Sequence, residues 1–289
     1  MMERSGDPNL QIYNAPQVAA HYAALDYLTP CERLLFQTYI PAESDVLDLG
    51  VGGGRTTAYL AQRAKKYVGV DYAPAMIEAC RARFPEIEFA VGDASDLSAF
   101  PENSFDAVVF AFNGIDYLIP DQARKKCLEH ILRILRPGAV VIFSSHNPRA
   151  VLIRVRGNGE RLRALARQFS AGSELLCAAL AWLLISVRGA VSFGQSGWAT
   201  LKRAFRRLPT RAFWRGEGIL IDPSHGGLLT HYWIPDRVVA ELTGLNFGLV
   251  RILGDDLLND DLLDDDHAER SHPYATDWYY YVFAKTLSK

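Results

Sequence analysis

Little in this sequence points to a membrane, a secretory route or a charged polymer. Four cysteines (Cys31, Cys80, Cys127 and Cys177) are scattered through 289 residues with no C-x-x-C pair. Neither a zinc site nor a disulfide framework is therefore expected. The stretch MMERSGDPNLQIY at the start lacks the apolar core of a signal peptide. The longest strongly apolar run, near Leu175–Val187, is too short for a bilayer span. A reduced, cytoplasmic chain is the expectation. The 31 Lys and Arg nearly balance 33 Asp and Glu, for a net charge of −2, so no nucleic-acid partner is expected. There is no internal repeat and no low-complexity linker. Three chemical signatures are missing too: a G-x-x-x-x-G-K-[ST] loop, an H-E-x-x-H helix and a G-x-S-x-G elbow. At the third, Gly194-Gln195-Ser196-Gly197 runs into Trp198 where glycine is required. His225 and His231, six apart, share no helical face, so no metal is predicted there. What remains is an ordinary enzyme-like composition, 49% hydrophobic, ample for the core of one large domain or two small ones.

The most informative stretch is Val46–Thr57, VLDLGVGGGRTT. A short apolar run carrying Asp48 breaks into Gly50, Gly52, Gly53 and Gly54, and a helix-compatible segment follows. This is a buried strand, a tight glycine turn and a helix start. Glycine is needed where the backbone turns sharply and lets a ligand approach the main chain. The helix N-terminus beyond it offers unpaired N–H groups to an anion. The dinucleotide fingerprint G-x-G-x-x-G/A fits poorly, because Arg55 or Thr57 stands where a small residue belongs. The frame Asp48-x-Gly50-x-Gly52-x-Gly54 fits fully.

Further strands follow in order. Tyr67–Val70 ends in Asp71, placed where a carboxylate can accept both ribose hydroxyls of an adenosine-containing ligand. An N-cap for the next helix is the alternative role for Asp71. Ile87–Val91 ends in Gly92, Asp93 and Ala94, and Ala107–Ala111 opens into Phe112, Asn113, Gly114, Ile115, Asp116 and Tyr117. After the helix DQARKKCLEHILRIL and the turn Arg136-Pro137-Gly138, a fifth strand, AVVIFSS, leads to His146 and Asn147. The helix DRVVAELTGL, the strand FGLVRIL and the closing strand DWYYYVFAKTL complete the plan. Alternation in the closing strand is weak, which predicts that both its faces are covered.

The acid-x-Gly-x-Gly-x-Gly loop and the phrase LRPGAVVIF resemble the class I S-adenosylmethionine (SAM)-dependent methyltransferases. The resemblance is specific over roughly residues 40–147. It implies an α/β, Rossmann-like, doubly wound seven-stranded mostly parallel sheet whose last two strands form an edge hairpin. It also implies SAM as cofactor, with the loop of Asp48, Gly50, Gly52 and Gly54 around its methionine portion and Asp71 on its ribose. Tyr72 or Met76 would touch ribose or adenine. Asp93 and Ala94 would read the adenine, with Asp96 a competing assignment. Tyr13 and Tyr22 would close over the cofactor as a lid, or else simply pack a helical lead-in (9–40) on the sheet. Phe112 and Asn113, at a strand end beside the crevice, are expected near the reactive methyl group.

Transfer from a sulfonium is an in-line displacement, so alignment and desolvation can supply most of the catalysis. A base helps when the acceptor is a hydroxyl or ammonium. His146 is the first choice, His231 the second and His225 the third. Tyr117 and Tyr232 are expected to line the acceptor pocket. Residues 1–147 are thus read as lid helices and cofactor core, 148–215 as a helical cap insertion, and 216–289 as the rest of the core. The insertion carries thirteen Lys and Arg against two Glu. Its basic amphipathic helices suit an anionic or membrane-associated substrate. A solvated cap paired with the acidic stretch Asp255–Glu269 is the alternative. The expected activity is methyl transfer to an O or N atom of a small-molecule acceptor (sugar, lipid-linked or secondary metabolite). Two rivals stand beside it: a SAM-using cyclase releasing methylthioadenosine, and a membrane- or RNA-surface module. The oligomeric state is not readable.

Overall fold

The computed structural model describes residues 7–148, 217–222, 228–255 and 276–286. The segments expected to form a basic helical cap, Cys177, His225 and nearly all of the acidic 255–269 stretch lie outside the described residues. Five strands run parallel: β1 (Asp45–Leu49), β2 (Lys66–Asp71), β3 (Glu88–Val91), β4 (Phe105–Phe110) and β5 (Leu135–His146). Two further strands, β6 (Glu217–Asp222) and β7 (Leu228–Trp233), form a separate antiparallel pair among the described residues. The last two, β8 (Phe247–Gly254) and β9 (Trp278–Lys285), complete the main sheet in the order β3-β2-β1-β4-β5-β9-β8, with β9 antiparallel to both neighbours. The expected seven-stranded, mostly parallel α/β sheet is therefore present.

Burial follows from that order. Past their first residues β1 and β2 are buried continuously, as parallel strands covered on both faces must be. Leu47, Leu49, Val68, Val70 and Val108 face one core, which helices α6 (Asp121–Ile134) and α7 (Pro235–Gly244) cover. Val46, Tyr67, Ala107, Val109 and Ile142 face the other, beneath α3 (Pro30–Tyr39), α4 (Thr57–Arg63) and α5 (Pro74–Arg83). The closing strand β9 buries Tyr279–Phe283 without a break, in line with its weak alternation. Strand order reverses between β1 and β4, so their carboxyl ends open a crevice at the switch point.

The lead-in consists of α1 (Pro8–Tyr13), α2 (Pro16–Ala23) and α3, each starting on a proline whose missing N–H is an orphan at a helix start anyway. Two local readings are corrected. Arg136-Pro137-Gly138 lies within β5 rather than before it, because Leu135 already pairs with Phe105 ahead of an irregularity in the ladder. The segment LLTHYW, not assigned as a strand from sequence, is β7. Its outer edge is capped by Asn9 of α1, whose side chain donates to the carbonyl of Leu229 and accepts from its N–H, both at 2.8 Å.

Candidate active site

The glycine loop is built by two buried carboxylates. Asp48 Oδ2 accepts from Thr56 Oγ1 at 2.6 Å and from Tyr67 Oη at 2.8 Å, tying the end of β1 to the start of α4. Asp71 Oδ2 accepts from the N–H of Gly52 and Oδ1 from the N–H of Ala73, both at 2.9 Å. Asp71 is thus a brace between the loop and the β2–α5 turn; the N-cap of α5 is Ala73, which corrects the capping alternative. Burial pushes both carboxyls up to about 6. For Asp48 the hydroxyl donors oppose that shift, and for Asp71 the backbone donors do. Between these anchors Gly50, Gly52 and Gly54 have φ of +60°, +57° and +83°, the left-handed region that side chains avoid.

Gly53 serves a different purpose. A Cβ there would lie 2.2 Å from the backbone nitrogen of Ala23, so α2 rests directly on the loop. Gly53→Ala is expected to destabilise the protein by about 1–3 kcal/mol, the usual scale for overpacking. Thermal unfolding tests this, and an unshifted midpoint would mean that α2 moves aside freely.

The cleft over this loop gathers most of the residues singled out in the sequence. Asp48, Gly50, Gly52, Asp71, Tyr72 and Met76 line one part of it, and Asp93 and Ala94 continue the wall from the end of β3. Asp93 is folded into a local turn by Ser95, whose N–H and hydroxyl both donate to its Oδ1. The competing Asp96 is exposed, turned toward Ser98 and not part of the lining. Tyr13 and Tyr22 close the cleft from α1 and α2, and Phe112 and Tyr117 from beyond β4. Around Tyr13 stand Tyr117, Tyr22 and Tyr72, with ring centroids 5.6, 5.9 and 6.1 Å away, all edge-on. Burial, then the neighbouring Tyr117, raises the Tyr13 phenol well above its ordinary range.

Five predicted residues fall outside the lining: Gly54, Asn113, His146, His231 and Tyr232. Phe112 and Asn113 both have positive φ, +56° and +63°, an uncommon backbone for a bulky aromatic residue and a sign of local strain. His146, at the tip of β5, packs against Tyr117 at 6.2 Å and Tyr232 at 5.4 Å between ring centroids. Its Nδ1 lies 2.8 Å from Asp116 Oδ2, and its Nε2 lies 3.3 Å from Asn113 Nδ2.

His231 belongs to another cluster, with Nε2 3.2 Å from Glu217 and 3.7 Å from Asp121. The three could in principle hold a cation. However, Arg124 already sits 3.2 Å from Asp121 and 3.6 Å from Glu217, so these acids have their counterion. Burial, and then the Arg124 charge, push the His231 imidazole below its ordinary value.

Several residues escaped sequence reading. Glu32 meets Arg55 in a buried two-pronged ion pair, Nη1 to Oε2 at 2.6 Å and Nη2 to Oε1 at 2.5 Å. The Arg55 guanidinium also lies 4.5 Å from the Phe112 ring centroid. The same side chain that spoiled the dinucleotide frame thus fastens α3 to the glycine loop. Asp116, Ser145 and Trp233 form a second buried group behind His146. Nothing in the local sequence marked these partners, which lie far apart in the chain.

A glycine loop after β1, carboxylates at the tips of β2 and β3 and an antiparallel last pair define the class I SAM-dependent methyltransferase fold. Residues 46–138 match the family model described as a methyltransferase domain. It is 35% identical over 125 residues to the demethylmenaquinone methyltransferase of Clavibacter sepedonicus, covering 42% of this chain and 49% of that protein. It is also 35% identical over 114 residues to the trans-aconitate 2-methyltransferase of Methylobacterium radiotolerans, covering 39% and 42% respectively. The chain thus spans about half, or less, of the length of these curated relatives. The CcbJ methyltransferase of Streptomyces caelestis superposes with a TM-score of 0.54 at 16% identity, over 95% of this chain and 98% of that one, a likeness of fold.

Proposed function

We propose that this chain transfers the methyl group of SAM to an oxygen or nitrogen of a small-molecule acceptor. The observation that carries the reading is the cleft at the strand-order switch, where the left-handed glycine loop is pinned by Asp71. The residues fit the cofactor. Asp71 Oδ2 accepts from Gly52 N–H and Oδ1 from Ala73 N–H, and a carboxylate has acceptor capacity beyond these for a ribose hydroxyl. Asp93 and Ala94 serve the adenine, and Tyr72 and Met76 flank the nucleoside. Asp48, Gly50, Gly52 and Gly54 shape the loop around the methionine portion, under Tyr13 and Tyr22. When bound, SAM supplies an electrophilic methyl on a sulfonium.

The chain's own part is to align the acceptor, exclude water and remove a proton. Phe112 and Asn113 border the methyl group, Tyr117 and Tyr232 the acceptor, and His146 is the base. His231 is the weaker choice, since it is committed to Glu217 next to Arg124. Tyr117 at the acceptor end, edge-on to Tyr13, with the lining's Arg55 already paired to Glu32, favours an uncharged lipid-linked or secondary-metabolite acceptor over a polycarboxylate such as trans-aconitate.

Asp71→Ala is expected to weaken SAM binding by about 1–3 kcal/mol, the scale for a lost buried polar partner. Unchanged affinity by calorimetry would remove Asp71 from the ribose role. Labelled SAM incubated with a cell extract tests the activity itself. S-adenosylhomocysteine and a labelled small molecule are the expected products, whereas methylthioadenosine would overturn methyl transfer.

A further inference from the structure

The group behind His146 has a feature that burial alone does not require. Asp116 is fully buried, and its carboxylate accepts from four donors. Oδ2 takes the backbone N–H of His146 at 2.7 Å and faces His146 Nδ1 at 2.8 Å. Oδ1 takes the Ser145 hydroxyl at 2.7 Å and the Trp233 indole N–H at 3.2 Å. The indole also donates to Ser145 Oγ at 2.7 Å, which turns the Ser145 proton toward Asp116. An amide N–H and an indole N–H can only donate, so the carboxylate is fixed as the acceptor. Nδ1 must then be the protonated ring nitrogen. In the neutral ring Nε2 is then left bare, and the Asn113 amide donates to it at 3.3 Å. In that arrangement Asn113 Oδ1 is buried without a partner.

We propose that Asp116 is a positioning residue that holds His146 as the Nδ1–H tautomer, with Nε2 kept as the atom that receives the acceptor's proton. This rests on the reading of His146 as the base. The balance is simple. The acceptor O–H or N–H gives its proton to Nε2, and its lone pair forms the new bond to the methyl carbon. The electrons of the broken C–S bond stay on sulfur. The imidazolium so formed is stabilised by the Asp116 carboxylate, which is not itself protonated. Asn113, which occupies Nε2 at rest, has to yield that lone pair. Its unpartnered carbonyl then faces the new Nε2–H if the amide turns over, so one side chain serves both states of the ring.

The test uses the full chain with ¹⁵N-labelled histidine. In the wild-type protein the His146 ring is expected to show a protonated Nδ1 and a bare Nε2. In Asp116→Ala the proton is expected to move to Nε2, the tautomer an unconstrained imidazole prefers. Label transferred from methyl-labelled SAM to the small-molecule fraction of a cell extract should fall by about 100-fold or more. SAM affinity by calorimetry should stay within about threefold of wild type on that reading. Should the alanine variant not fold, Asp116→Asn keeps the shape but removes the charge, and at least about a tenfold loss of transfer with unchanged SAM affinity is expected. A wild-type ring protonated on Nε2 would overturn the proposal. So would a folded variant whose transfer falls only in step with its SAM affinity. If His146→Gln transfers label at the wild-type rate while the tautomer is as stated, the base assignment fails and the tautomer assignment survives.

Discussion

Exchange of Glu32 for alanine is expected to destabilise the protein by about 3–5 kcal/mol, the range for breaking a buried ion pair from one side. Arg55 cannot neutralise itself by losing a proton, so its guanidinium would remain charged inside the protein. Burial by itself lowers its proton affinity. The bond to Glu32 and the Glu32 charge outweigh that and hold it above its ordinary value. After the exchange Arg55 would keep the carbonyl of Tyr27, at 2.9 Å, and the faces of Tyr27 and Phe112. None of these carries the missing negative charge. Glu32 has a second duty: its Oε2 accepts from the N–H of Thr29 at 2.9 Å, while Thr29 Oγ1 accepts from the N–H of Glu32 at 3.1 Å. Loss of this capping box adds about 1 kcal/mol by itself. Urea denaturation of Glu32→Ala measures the sum. The double variant Glu32→Ala with Arg55→Met should recover most of the loss, since it removes both charges and fills the space with apolar atoms. A loss under about 1 kcal/mol in the single variant would show that water reaches Arg55, and that the pair does not tie α3 to the loop.

That pair marks the limit of sequence reading in this chain. Local chemistry was legible: apolar runs became β1, β2 and β4, and the glycine frame became the loop it predicted. The acids at strand ends stand at the crevice because a strand tip is a property of a few neighbouring residues. Pairings across the chain left no such mark. Arg55 could be used only to reject the dinucleotide frame, because Glu32 lies on a separate helix 23 residues earlier. Asp116 read as one acid in a loop, since its donors sit at Ser145, His146 and Trp233. The β6–β7 hairpin was missed because LLTHYW does not alternate cleanly, and its outer edge is satisfied by Asn9, 220 residues away. The position of Asp71 was evident from its spacing, but its grip on Gly52 and Ala73 was not.

The second large effect comes from pH. Asp48 and Asp71 both have their carboxyls pushed up to about 6 by burial, against about 3.9 in an unfolded chain. Between those values the folded protein binds more protons than the unfolded one, so stability falls as pH rises. Their contribution is fully present below about pH 4 and is lost as pH climbs through 6. Two units correspond to about 3 kcal/mol per group. Asp48→Asn isolates one of the two. Both hydroxyl donors to Asp48 reach the same oxygen, Oδ2, so an amide carbonyl placed there keeps both bonds. Denaturation from pH 4 to 8 should show the variant equal to wild type at the acid end and more stable by up to about 3 kcal/mol at the alkaline end. A difference that stays flat with pH would mean that Asp48 ionises as readily in the fold as in the open chain. A charge held at this cost in a cleft wall points to a role in what binds there. The stabilised variant is therefore expected to bind SAM, whose sulfonium and ammonium are both cationic, more weakly than wild type. Equal affinity at pH 7 by calorimetry would assign Asp48 to the shape of the loop alone.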